Sequence, residues 1–109
     1  MAYDEDLAHR IRAVLAGTAG VSEKRMFGGL GFLVNGNLAA TASSRGGMLL
    51  RVDPADTDEL VTAPHAERAV MRGRPMDGWL RVAVSELPDH EVDGWISRGV
   101  AYARSLPPK

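Results

Sequence analysis

The sequence predicts an α+β fold, a five-stranded, mainly antiparallel sheet with three helices in the order α-βββ-α-ββ-α. Two observations carry this. Short apolar-rich segments follow one another with only turn signals between them, whereas a parallel sheet would need a crossover helix between most strands. Helical periodicity is confined to the two ends of the chain and one short central stretch. At 109 residues the chain makes one domain, residues 1–109, and is too short for two ordinary ones.

The first helix is expected from Glu5 to Ala16. Asp4 is a good N-cap, and Glu5 and Asp6 add negative charge at the positive end of the helix dipole. Leu7, Ile11, Val14 and Leu15 recur on one stripe, and Gly17 is a natural stop. Glu23–Phe27 and Leu30–Val34 are read as one strand that bends through Gly28, Gly29 and Gly31. Asn35-Gly36 is a strong hairpin signal, because both central residues of a type I′ turn need positive φ. Asn37–Ala42 returns as its partner, "SSRGG" turns again, and Met48–Val52 is the next strand.

Asp53-Pro54 opens a short acidic helix, with the cap followed by proline at the first helical position, running to about Thr62 before Pro64. Ala69–Met71 is a short strand, "RGRPMDG" a turn-rich connection, and Trp79–Val84 the last strand. Asp89 is expected to cap a final helix whose inner stripe is Val92, Trp95, Ile96, Gly99 and Ala103.

The glycine-rich stretch "KRMFGGLGFLVNGNLAA" (Lys24–Ala40) raises the question of a phosphate-binding loop. A dinucleotide fingerprint needs a third glycine where Val34 stands, and a helix where this sequence has a hairpin. No Gly-Lys-Ser/Thr closes a Walker loop either. The glycines therefore mark a bend, a bulge or close backbone approach. A nest of amides beside Lys24 and Arg25 remains the anion-binding alternative.

This stretch closely resembles the signature near the start of the TfoX N-terminal domain family, associated with Sxy/TfoX competence regulators. The specific run is Arg25-Met26-Phe27-Gly28-Gly29-Leu30-Gly31-Phe32. "GRPMDGWLRVAVSEL", the final helix with Trp95, and "ARSLPPK" extend the resemblance over essentially the whole chain. It implies an α+β domain with an antiparallel sheet and brings no established catalytic residues. Longer regulators join this domain to a second, C-terminal one, whereas this chain is expected to be a stand-alone domain.

Composition narrows function. The absence of cysteine removes disulfides and thiolate chemistry. No apolar run approaches the ~20 residues of a membrane span. The acidic N-terminus lacks the apolar core of a signal peptide, so the cytoplasm is expected. A net charge of −1 and a pI near 6.3 stand far from the pI above ~9 typical of autonomous DNA-binding domains, so duplex binding by the isolated chain is not expected. His9, His65 and His90 lack metal-ligand spacing, and no nucleophile elbow surrounds Ser43 or Ser44. No cofactor, metal or catalytic residue is assigned. Glu23, Glu67 and Asp77 are the spare acids.

The expected function is a non-enzymatic, cytoplasmic interaction domain, accessory to regulation and acting through protein contacts. One alternative is a nucleic-acid accessory factor using Arg68, Arg72, Arg74 and Arg81, with Arg25 and Arg51 from neighbouring strands. The other is a small-ligand binder or enzyme with a pocket near Arg25 and the Gly28–Gly31 bend. The candidate interaction or anion site is Arg25, Gly28, Gly29, Arg72, Arg74, Trp79 and Arg81. A homodimer is expected, because Phe32 and Val34 oppose Leu33, and Met48, Leu50 and Val52 oppose Leu49. Three helices would bury only one such face.

Overall fold

A computed structural model describes residues 4–26, 28–43 and 47–109. Helix α1 spans Glu5–Leu15, and the Leu7 N–H donates to Asp4 Oδ1 at 3.1 Å, so the expected cap is in place. Strands β1 (Val21–Met26), β2 (Gly29–Val34), β3 (Asn37–Ser43) and β4 (Met48–Arg51) follow. A 3-10 turn at Pro54–Asp56 leads into α2 (Thr57–Leu60), and the Ala55 N–H donates to Asp53 as a cap should. Strands β5 (Ala66–Met71) and β6 (Arg74–Val82) then precede the long helix α3 (Asp89–Ser105).

The sheet has six strands, in the spatial order β1-β2-β3-β4-β6-β5, and every pairing is antiparallel. The α+β class and the three helices stand, while the five-strand count is corrected. Residues 23–34 are not one bent strand. Met26 pairs directly with Gly29, so β1 and β2 are two antiparallel strands, and Gly28 before β2 takes φ +71°. Residue 27 and the 44–46 part of the "SSRGG" turn lie outside the described residues.

The other glycines of the run serve the strand. A Cβ on Gly29 would lie 2.2 Å from the Ala42 carbonyl oxygen of β3. A Cβ on Gly31 would meet Met26 Sδ at 2.8 Å, so that side chain uses the vacant space. Asn35 and Gly36 both have positive φ, as the expected type I′ turn requires. Arg72 and Gly73 do the same between β5 and β6, so most of "RGRPMDG" is strand where a connection was expected. Asp89 is the first residue of α3 and not its cap, because Pro88 occupies that position.

One apolar cluster joins α1, α3 and a single face of the sheet: Ile11, Phe32, Leu50, Leu80 and Ile96 are all fully buried in it. Leu38, Leu49 and Ala69 are buried as well, but stand outside that cluster, on the opposite face by strand alternation. Of the two residues from which an apolar second face was argued, Leu49 is buried and Leu33 half-buried. Large apolar side chains exposed among the described residues are Val21, Val70 and Met76.

Helix α3 lies close to the sheet at Gly99. A Cβ there would sit 2.7 Å from the Ala39 carbonyl oxygen and 2.5 Å from Leu50 Cδ1. Ala39 is the extra residue where the β2–β3 register slips, between the pairs Phe32–Ala40 and Leu33–Leu38. Gly94, one and a half turns earlier, is exposed, and a Cβ there would meet no heavy atom within 4 Å. Gly99→Ala should therefore destabilise the fold by about 2 kcal/mol, through overpacking against backbone. Gly94→Ala should stabilise it by about 0.5–1 kcal/mol, through lower unfolded-state entropy. Urea unfolding of the two variants checks both signs.

Candidate functional site

The β5–β6 ladder changes register part-way along, and that change divides the hairpin into an inner and an outer half. Arg68 pairs with Leu80, but the next residue, Ala69, pairs with Met76, so Asp77, Gly78 and Trp79 form an outsized bulge. Gly78 takes φ +85° there. Its N–H donates to the buried Thr57 Oγ1 at 2.8 Å, and its carbonyl accepts from the Val52 N–H at 2.9 Å. Short α2 thus acts as a bracket for the bulge. Beyond it the ribbon is paired between β5 and β6 alone among the described residues, since the β4–β6 pairing ends at Arg51–Trp79. Pro75 sits in this outer half, where its missing N–H breaks no central ladder.

The outer ribbon carries Val70, Arg72, Arg74, Pro75 and Met76, all exposed. Arg72 and Arg74 have no hydrogen-bond or ion-pair partner among the described residues. The rest of the expected arginine cluster is taken apart by the fold. Arg68 forms ion pairs with Asp77 at 2.8 Å and with Asp58 of α2, which raise its pKa and occupy its charge. Arg81 belongs to the opposite face of the sheet, where it pairs in register with Glu67 and Leu49. Arg51 stacks between the rings of Trp79 and Tyr102, its guanidinium carbon 5.4 and 5.7 Å from their centroids. Trp79 is accordingly half-buried, and Trp95 is half-buried against the core.

At the other end of the expected site, Arg25 is exposed on the edge strand β1 opposite Leu30, three strands away from β4. Gly29 and Gly31 lie in β2, which is hydrogen-bonded to a strand on each side, so their amides are committed to the sheet. Gly28 is an exposed turn residue. Neither Arg25 nor these glycines line the cavity that opens near the start of β5. That cavity, of about 370 Å³, is bounded by Gly47, His65, Glu67 and Arg81 with Pro64, Ala66 and Ala83. The Ala83 N–H closes its floor by donating to the His65 carbonyl at 2.9 Å. The sequence singles out Arg81 and Glu67 but carries no signal for their convergence with His65, which depends on β5 pairing with β6 in the register Glu67–Arg81.

The remaining spare acids are not gathered. Glu23 on β1 receives two hydrogen bonds of 2.8 Å from Arg12, and Asp77 holds Arg68. No group of three or more His, Asp or Glu residues that could hold a metal occurs among the described residues. No helix among them is long and apolar enough to cross a membrane.

The family model of the TfoX N-terminal domain matches residues 13–103, which run from α1 through nearly all of α3. The chain belongs to the TfoX N-terminal domain family. No curated protein and no solved structure matches it. Within this TfoX N-terminal domain the Arg25–Phe32 run is the β1–β2 hairpin and its entry into the sheet interior. The "GRPMDGWLRV" segment is the second half of the β5–β6 hairpin, its bulge and the anchored part of β6.

Two outcomes test these arrangements. Thr57→Val leaves the Gly78 N–H without its partner and should destabilise the domain by about 1–3 kcal/mol, read by urea unfolding. The hydrogen bonds from Arg12 lower the Glu23 pKa below its ordinary value of 4.5. The pair's stabilisation is therefore present above that value and lost as pH falls through the folded-state pKa. A double-mutant cycle of Arg12→Ala and Glu23→Ala should give a coupling under about 1 kcal/mol at neutral pH, because both groups are half-exposed. The coupling should vanish in acid.

Proposed function

We propose that the chain is a non-enzymatic, cytoplasmic interaction domain with an accessory role in regulation, and that the outer β5–β6 hairpin is its docking element for a protein partner. The observation that carries this reading is the combination on one ribbon of Val70, 62% exposed, and Met76, 36% exposed, with the unpaired Arg72 and Arg74. Apolar groups of that size held in water next to unpaired cations fit a partner that presents carboxylates around a small apolar spot. Strand β5 is also a sheet edge, which leaves its outer backbone groups open to strand addition. The family's association with competence regulators supplies the regulatory setting. The dispersal of Glu23, Glu67 and Asp77 supports the absence of general acid–base work.

An affinity capture from the native host, read by mass spectrometry, tests this with a variant carrying Val70→Ser, Met76→Ser, Arg72→Ala and Arg74→Ala. All four side chains are exposed, so the fold should tolerate their change with little loss of stability. The account expects a partner enriched by the unaltered chain to fall at least about tenfold with the variant, a loss of about 1.4 kcal/mol. Equal recovery with both chains would overturn the hairpin assignment. The homodimer expected from the sequence is part of the same reading. Sedimentation equilibrium at micromolar concentration, with and without the four changes, reads self-association directly.

The nucleic-acid reading keeps one supporting feature, the two free arginines on a projecting ribbon. Two phosphate contacts would give a salt slope of only about −2 and little affinity at physiological salt. Duplex DNA should therefore bind weakly or not at all in a fluorescence anisotropy titration. A sequence-specific dissociation constant tighter than about 10⁻⁸ M would contradict this.

A further inference from the structure

Five arginines among the described residues are half-buried: Arg10, Arg12, Arg51, Arg68 and Arg81. Three of them hold carboxylates, Arg10 through Asp89 and Asp93, Arg12 through Glu23, and Arg68 through Asp58 and Asp77. Arg51 is stacked on two rings. Among the described residues Arg81 has neither kind of partner, although Glu67 stands directly opposite it across the β5–β6 ladder. Both charges border the same cavity and do not meet. The Arg81 stem instead lies over Gly47, with Cγ and Nη1 at 3.5 and 3.6 Å from where a Cβ would be.

A partly desolvated guanidinium with no anion is unfavourable unless something fills its donors. Its planar fork suits a carboxylate or a phosphate. Glu67 separates the two, because its charge repels a phosphate dianion and attracts a cation. The charges of Arg81 and Glu67 at the cavity are opposite and equal. That arrangement matches a ligand carrying one carboxylate and one ammonium. Pro64, Ala66 and Ala83 supply apolar wall for a small aliphatic group, and about 370 Å³ is the volume of a small-molecule site.

We propose that this cavity binds a small zwitterion of the amino-acid class, its carboxylate on Arg81, its ammonium toward Glu67 and its side chain against Pro64 and Ala66. The site lies on the far side of the bulge from the hairpin tip and does not depend on the docking role of Val70 and Arg72. The hairpin variant described above should bind the zwitterion as the unaltered chain does, so failure of either reading is seen separately.

The test is isothermal titration of the full chain with L-valine and L-alanine, with N-acetyl-L-valine and L-valinamide as probes that lack one charge each. Saturable binding of a free amino acid is expected, weakened at least about tenfold by loss of either charge, equivalent to about 1.4 kcal/mol. Arg81→Met and Glu67→Gln should each abolish it. Gly47→Val narrows the cavity while keeping both charges, and should block binding even if Arg81→Met fails to fold. No saturable heat with either amino acid at millimolar concentration would overturn the proposal. Equal binding of N-acetyl-L-valine, or binding unchanged in Gly47→Val, would overturn it too.

Discussion

Helix α3 can lie against β3 and β4 at its observed depth only because residue 99 has no side chain. The Ala39 carbonyl and the Leu50 methyl already occupy the volume that a Cβ would need. With the helix at that depth, Val92, Ile96, Val100 and Ala103 reach the sheet and are buried. The same depth brings the end of α3 down to the β2–β3 turn. There the Asn37 amide donates to the Pro107 carbonyl at 3.0 Å, and the Lys109 N–H donates to the Asn35 carbonyl at 2.8 Å. Helix α1 is then fixed by packing on α3 and by Arg10, whose guanidinium reaches Asp89 and Asp93 in the first turns of α3. A glycine in a helix interior is intrinsically unfavourable by about 1 kcal/mol, and close packing offsets that here.

Because the helices share one face, the surface left for recognition is set by the sheet itself. Its β1 end is a charged edge strand that carries Glu23, Lys24 and Arg25, a composition that discourages pairing with another strand. Its β5 end is different in kind. Past the Thr57 bracket and the Gly78 bulge the ribbon runs beyond the end of the β4 pairing, and apolar and basic side chains stand in water together there. Between them, on the inner half of β5 and β6, Arg81 and Glu67 border a cavity without neutralising each other. The two features share a strand pair but differ in chemistry, one suited to a protein surface and the other to a small zwitterion.

Local signals made much of this architecture legible. The Asp4 cap, the α1 stripe and the Asn35-Gly36 turn act within a few residues, and each is where the sequence places it. The β1–β2 hairpin was hidden because Gly29 and Gly31 look like interruptions of one strand. Their real reasons, the Ala42 carbonyl and the Met26 thioether, come from neighbouring strands and leave no local mark. The start of β6 was hidden by Pro75 and Gly78, which argue against a strand unless it is known to be unpaired on one side there. The arginine run misled in the same way. Spacing puts Arg68, Arg72, Arg74 and Arg81 close in sequence, but alternation and a bulge send them to two faces and a tip. Asp58, brought by α2, then joins Asp77 on the first of them.

On this packing α3 and the middle of the sheet form one cooperative unit, and the outer β5–β6 ribbon, paired beyond β4 within itself, is less stable. Native-state hydrogen exchange as a function of low denaturant reads this residue by residue. The account predicts that amides of β2, β3, β4 and the Ile96–Ala103 part of α3 exchange only by global unfolding, with one common free energy. Amides from Ala69 through Met76 should exchange by local opening at distinctly lower free energy. Exchange of α3 well before β3 and β4, or an outer ribbon as protected as the core strands, would contradict it.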